Sequence, residues 1–143
     1  MNTMNTRQKY LGIDPGRSKT GLALVDAAGS ILALHIAHTE HIEVELSAFA
    51  GKEQLAGIIM GDGTNSKAIG QAVSKVFAAV PLSLVGEAHS TEEARCLYWQ
   101  VNPPRGWRKL VPLGMLVPSE PLDAYAAVVQ VKRWLALQGS IKD

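Results

Sequence analysis

The chain is poor in features on which secreted and membrane proteins depend. It has one cysteine, Cys96, among 143 residues, so it cannot form an internal disulfide and nothing requires an oxidising compartment. No apolar run approaches the roughly 20 residues that span a bilayer. The opening residues, MNTMNTRQK, lack the apolar segment of a secretory signal. We therefore expect a soluble, cytoplasmic protein that does not enter membranes.

The chain also lacks a strong excess of charge of either sign. Its 14 Lys and Arg residues and 13 Asp and Glu residues give a net charge of +1, so the chain is not basic throughout. The C-terminal third is more basic than the rest, which indicates either an ordinary solvated surface or a local face that attracts an anionic polymer. From Arg95 to Lys142 the cations are Arg95, Arg105, Arg108, Lys109, Lys132, Arg133 and Lys142, against the acids Glu120 and Asp123.

Hydrophobic residues are plentiful, at 47% of the chain, and charged residues make up 19%. This composition supports a buried core and argues against disorder. The length is that of one domain, so we expect residues 1–143 to form a single domain.

The first forty residues have the pattern of an antiparallel meander. Apolar segments at Tyr10–Asp14, Gly21–Val25 and Ser30–His38 predict three strands. Asp-Pro-Gly follows the first of them, and Asp26–Gly29 (DAAG) separates the second from the third. Both connections have the residue types of tight turns, so consecutive strands should be antiparallel.

Helices and strands alternate in the rest of the chain. A strand, a helix and a second short strand are each bounded by Gly or Pro, and two more helices follow on either side of an irregular segment. The predicted order is helix Glu43–Ala50, strand Leu55–Met60, loop Gly61–Ser66, helix Lys67–Ala79, strand Leu82–Val85, helix Ser90 to about Trp99 or Val101, irregular Asn102–Glu120 and helix Leu122–Leu137, with Pro121 in its first turn. This order predicts an α/β fold with one mixed sheet, three antiparallel strands plus two parallel ones, and helices on both faces.

Three carboxylates stand at the ends of predicted elements. Asp14 ends the first strand, Glu87 ends the last strand, and Asp123 lies in the first turn of the final helix. If that helix packs beside the first strand, the three can meet, and a divalent cation such as Mg²⁺ or Mn²⁺ would offset their mutual repulsion. Each also has a simpler interpretation. Asp14 suits a turn, Glu87 a solvent-facing strand end, and Asp123 the positive end of a helix.

Three segments resemble a known family. LGIDPGRSKTGLALVD at 11–26, VGEAHSTEEA at 85–94 and PLDAYAAVVQVKRWL at 121–135 are similar to motifs of the ribonuclease H-like resolvases, in particular the RuvC and YqgF (RuvX) groups. The resemblance implies a ribonuclease H-like fold and a metal-dependent endonuclease. It places Asp14, Glu87 and Asp123 at the family's catalytic, metal-binding positions. Substrates proposed within the family are Holliday junctions and the precursor of small-subunit ribosomal RNA.

The chain departs from the YqgF pattern at two places. Gly86-Glu87-Ala88 stands where those relatives usually have Asp-Glu-Arg, and Gly61-Asp62-Gly63-Thr64 stands where they usually have a Gly-x-Pro segment. These departures indicate a divergent subgroup. They also support a competing hypothesis, a nucleic-acid-binding module that has kept the fold without efficient catalysis. A third hypothesis is an actin-like nucleotide-binding protein, but that fold normally needs two such domains.

Several residues are candidates for contacts with nucleic acid. Cations near Asp14 would bind phosphates beside the cut, glycine-rich backbone can cradle an oxyanion, and an aromatic ring can stack on an unpaired base. An exposed surface, a tight turn and a packed loop are the respective structural alternatives. The candidates are Arg17, Lys19, Gly61, Asp62, Gly63, Thr64, Arg105, Trp107, Arg108 and Lys109. We expect branched DNA or structured RNA as the partner, and a monomer or homodimer.

Overall fold

The computed structural model describes residues 8–63, 65–86, 90–112 and 121–140, with the side chains at 90, 91 and 140 excepted. Five strands form one sheet in the order β3-β2-β1-β4-β5. Within it β1–β2 and β2–β3 are antiparallel, whereas β1–β4 and β4–β5 are parallel. The predicted mixed sheet is therefore confirmed. The strands are β1 Lys9–Asp14, β2 Lys19–Asp26, β3 Ile31–His38, β4 Leu55–Gly61 and β5 Leu82–Val85.

The helices lie on both faces of this sheet, as predicted. Side chains on a strand point alternately to its two faces, and β1 separates the two cores accordingly. Leu11 and Ile13 belong to the core beneath α1 and α2, whereas Tyr10 belongs to the core beneath α3 and α4. The helices are α1 Ile42–Ala50, α2 Ser66–Val76, α3 Ser90–Val101 and α4 Asp123–Ser140.

Several helix boundaries differ from the sequence prediction by one to three residues, and two of them have a clear cause. Helix α2 ends at Val76 rather than Ala79, because the backbone of Phe77 leaves the helical region and the Phe77 side chain is buried in the core. Pro81 also disfavours helical geometry in the residue that precedes it. Helix α4 begins at Asp123, so Pro121 precedes the helix instead of lying in its first turn.

The Glu45 carboxylate on α1 makes hydrogen bonds to the edge strand β3. His35 Nε2 lies 2.8 Å from Glu45 Oε1, and the backbone amide of His38 donates to Glu45 Oε2 at 2.8 Å. These hydrogen bonds hold the pKa of Glu45 below its ordinary value. The His35 ring also stacks on Phe49 at a centroid distance of 5.7 Å. His35 therefore has a structural partner.

The segment predicted to be irregular contains a short 3₁₀ turn, Gly106–Leu110, which we call the 106–110 turn. Cys96 lies on α3 and is exposed. The buried face of that helix is instead formed by Ala94, Leu97 and Tyr98. None of the described helices is long and apolar enough to cross a membrane.

Candidate metal and nucleic-acid site

Two glycines allow α4 to cross the β1–β2 hairpin at backbone distance. A Cβ added at Gly12 would overlap the carbonyl oxygen of Ala127 and lie 2.7 Å from Val131 Cγ2. A Cβ added at Gly21 would overlap the carbonyl oxygen of Asp123 and lie 2.7 Å from the Ala124 nitrogen. Glycine inside a strand commonly marks such a close approach of another backbone. The first turn of α4 is thereby placed directly on β2.

This crossing brings Asp14 and Asp123 to one end of the sheet. Asp14 is the cross-strand partner of Gly21, and directly opposite residues of an antiparallel pair project to the same face, with Cα atoms about 5 Å apart. Gly21 faces the start of α4, so the Asp14 side chain points to that face as well. The backbone of Asp123 lies against the residue opposite Asp14. The sequence predicts that these two residues share a metal site, and that assignment stays a prediction.

The carboxyl group of Asp123 is in a partly desolvated position beside a cation. Burial raises its pKa above the ordinary value, and the positive charge of Lys19 lowers it in part. Burial is the larger of the two effects, so the ionised carboxylate is less favourable here than in water. A divalent cation bound to Asp123 would reverse that preference. Lys19 itself is exposed at the start of β2.

Glu87 and Thr64 lie outside the described residues, so their assignments stay predictions. Within the described ranges, no group of three or more His, Cys, Asp or Glu side chains is placed to hold a metal ion. The two aspartates nevertheless fit a hard cation. Mg²⁺ is commonly held through one or two carboxylates, with water and substrate phosphate completing the shell, and Mn²⁺ favours the same oxygen ligands.

Hydrogen bonds tie the turn after Asp14 to the glycine-rich loop after β4. The carbonyl oxygen of Gly16 accepts from Thr39 Oγ1 and from Asn65 Nδ2, each at 3.0 Å. Thr20, which is fully buried, shares a hydrogen bond of 2.8 Å with Thr39. Sequence reasoning missed these three polar residues. Asn65 lies in the loop that it singled out, whereas Thr20 and Thr39 carry no local signal.

Most of the other predicted contact residues near this end of the sheet are exposed. Arg17, Lys19 and Asp62 are exposed, and Gly61 is buried at the end of β4. The Asp62 amide donates to the carbonyl of Val85 at 3.0 Å, which continues the β4–β5 pairing past Gly61. The residue that precedes α2, Asn65, makes no side-chain capping hydrogen bond, since its amide group donates to Gly16.

The Asn102–Pro112 segment returns to the start of α4. Asn102 Nδ2 donates to the hydroxyl of Tyr125 at 3.1 Å, and Tyr125 lies two residues after Asp123. In this segment Arg105, Trp107 and Lys109 are exposed. The Arg108 guanidinium instead lies over the Trp99 ring, 5.8 Å from its centroid. Asn102, at the start of this segment, therefore joins it to the helix that carries Asp123.

No family model and no curated protein matches this chain. Among solved structures, T. thermophilus RuvC in complex with a Holliday junction substrate has a TM-score of 0.57 at 15% identity, over 92% of this chain and 96% of that one. Thermus thermophilus RuvC alone has a TM-score of 0.59, with the same identity and coverage. The YqgF (RuvX) subgroup stays a prediction. The likeness shows that the chain has the ribonuclease H-like fold of RuvC.

Proposed function

We propose that this protein is a divalent-metal-dependent endonuclease that hydrolyses phosphodiester bonds in structured nucleic acid. The observation that carries the proposal is the convergence of Asp14 and Asp123 where α4 crosses the β1–β2 hairpin. The shared fold adds support, because the RuvC structure of this fold is a complex with a Holliday junction. Branched DNA and structured RNA are the two substrate classes that we propose.

In this proposal, Asp14, Asp123 and Glu87 hold Mg²⁺ or Mn²⁺. The bound metal would activate a water molecule and neutralise charge on the scissile phosphate, so no serine or cysteine nucleophile is needed. Asp14 projects from the rigid end of β1, and Asp123 is fixed by the contact between α4 and Gly21. Both ligands therefore stand on regular elements, which position a site more accurately than loops do.

The cations around the two aspartates would orient the substrate backbone. Arg17 lies in the hairpin turn that Thr39 and Asn65 hold through Gly16, and Lys19 begins the strand that follows it. We propose that they contact phosphates flanking the cut, and that the Gly61–Thr64 backbone approaches the same strand. Contacts of this kind set register and affinity but read no sequence. They predict binding that weakens steeply as salt is raised.

Cleavage of a four-way DNA junction and of a structured RNA by wild type and Asp14→Asn tests this proposal. The amide keeps the shape of the side chain and removes its charge, so cleavage in Mg²⁺ should be lost while binding changes little. Glu40→Gln is the matched control, because its side chain is 79% exposed and lies outside the site. Equal cleavage by Asp14→Asn and wild type would refute the assignment. Metal-independent binding without cleavage by wild type would favour the non-catalytic module, which the altered Gly86-Glu87-Ala88 motif suggests.

A further inference from the structure

The 106–110 turn presents two large apolar side chains to solvent. Trp107 is 72% exposed and Leu110 is 87% exposed. Side chains at positions i and i+3 of a 3₁₀ helix eclipse one another, so these two share one face of the turn. Apolar surface exposed by a neighbouring Trp and Leu is unfavourable in water, and such a patch commonly marks a site that a partner covers.

The turn is built into the fold rather than loosely attached to it. Gly106 has φ of +63°, a left-handed conformation that favours glycine, and it reverses the chain just before Trp107. The amides of Arg108 and Val111 donate to the carbonyls of Arg105 and Arg108, at 3.3 and 3.2 Å. Val111 packs against the core, and Arg108 covers Trp99. The exposed face is thus held at a fixed place.

That place is next to the helix that carries Asp123. The Trp99 and Tyr98 rings meet edge to face at 4.9 Å between centroids, and Tyr98 meets Tyr125 in the same way at 5.3 Å. Asn102 adds its hydrogen bond to the Tyr125 hydroxyl. The packed rings of Trp99, Tyr98 and Tyr125 therefore join the base of the turn to the first turn of α4.

The charges around the exposed face select its partner. Arg105 and Lys109 flank Trp107 and are exposed, and residues 102–112 include no aspartate or glutamate. An apolar face among cations fits a partner that has flat apolar groups on an anionic backbone. Unpaired nucleobases have this chemistry, and each base offers a π-face on which an aromatic ring can stack.

We infer that Trp107 and Leu110 form a base-contacting wedge that selects strands with unpaired or unstacked bases over continuous duplex. This inference rests on the proposed function of the Asp14–Asp123 site, because it names the substrate feature that brings a strand to that site. In continuous duplex each base is covered by its neighbours, whereas a branch point or a loop leaves base faces open. Trp107 stacks on such a face, and Leu110 occupies the adjoining step as apolar wedges do in kinked nucleic acid.

The test is binding without cleavage, measured in EDTA on a four-way junction with 2-aminopurine at the branch point and on a continuous duplex of equal length. Trp107→Ala should weaken junction binding roughly 5- to 150-fold and leave duplex binding unchanged. It should also abolish the protein-induced change in 2-aminopurine fluorescence. Leu110→Ala should have a smaller effect in the same direction, and Trp107→Phe should restore part of the affinity.

Val44→Ala is the matched control, since Val44 is as exposed as Trp107 at 72% but lies on α1. Equal junction binding by Trp107→Ala and wild type, or equal losses on junction and duplex, would overturn the inference. So would Trp107-dependent binding to anionic lipid vesicles with no effect on nucleic acid. If wild type cleaves nucleic acid but Trp107→Ala leaves junction binding unchanged, only the inference about the wedge is refuted. If junction selection depends on Trp107 but wild type cleaves no substrate, only the proposed nuclease activity is refuted.

Discussion

Gly21 and Asp123 are in backbone contact across the interface between β2 and α4, so closely that a Cβ on Gly21 would overlap the Asp123 carbonyl oxygen. Gly21 is also the cross-strand partner of Asp14. One glycine therefore sets the distance between the strand that carries one carboxylate and the helix that carries the other.

Gly21→Ala should both destabilise the protein and weaken its response to metal. The added methyl group meets backbone atoms, which cannot rotate away, and overpacking of this kind costs about 1–3 kcal/mol. Urea unfolding measures the loss, and thermal melts with and without Mg²⁺ measure the metal response. Gly139→Ala, in α4, is the control, since a Cβ there meets nothing within 4 Å. A Gly21→Ala protein as stable as wild type would show that α4 does not rest on Gly21.

Asp123→Asn should stabilise the metal-free protein at neutral pH. Because burial raises the pKa of Asp123 in the folded state, its ionised form opposes folding above that pKa. Asparagine removes the charge and, like aspartate, is a favoured residue at the N-terminus of a helix. The stability difference between variant and wild type should shrink as the pH falls through the raised pKa toward the ordinary value of 3.8. Urea unfolding in chelator, from neutral to acidic pH, measures it, and a wild type more stable than the variant at neutral pH would contradict it.

Glu87 is a predicted metal ligand that lies outside the described residues, and Glu87→Gln tests this assignment. If Glu87 binds metal, the cation must offset repulsion among the carboxylates, so the variant should be neutral or slightly stabilised in chelator. In saturating Mg²⁺ or Mn²⁺, wild type should gain more thermal stability than the variant, because a ligand that binds the folded state stabilises it by mass action. Equal metal-induced shifts in the two proteins would remove Glu87 from the site.

Glu45→Gln should destabilise the protein above the lowered pKa of Glu45 and have little effect below it. The His35 and His38 hydrogen bonds depress this pKa in the folded state, so the carboxylate contributes stability at neutral pH that is lost as the pH falls through the folded pKa. We expect a loss of about 0.2–1 kcal/mol near pH 7, the range measured for exposed charged pairs. Unfolding curves from pH 7 to acidic pH measure it. A loss that persists unchanged at the acid end would contradict the assignment.

Much of the sheet was predictable because its signals are local. Asp-Pro-Gly and Asp26–Gly29 mark tight turns, which predict antiparallel neighbours, and the apolar run in Leu55–Met60 predicts a strand covered on both faces. Helix ends were less predictable. Val76 ends α2 because Phe77 enters the core, and that is a tertiary effect which helical periodicity does not contain.

The candidate site was predictable in part. The positions of Asp14 and Asp123 follow from element ends, and the glycine within Gly21–Val25 is the kind of strand glycine that marks a close approach of another backbone. The Asn102–Tyr125 and Asn65–Gly16 hydrogen bonds join residues far apart in sequence. Asparagine and tyrosine are common at many positions, so no pattern identifies such pairs before the fold is known.

Mn²⁺ affinity is the measurement that tests the central claim most directly, because it needs no knowledge of the substrate. Mn²⁺ can be titrated by electron paramagnetic resonance into wild type, Asp14→Asn, Asp123→Asn and the double variant, with Glu40→Gln as control. If Asp14 and Asp123 hold one metal site, each single variant should lose at least about tenfold in affinity, and the double variant should lose less than the sum of the two losses in free energy. Affinities equal to wild type in both single variants would contradict the account.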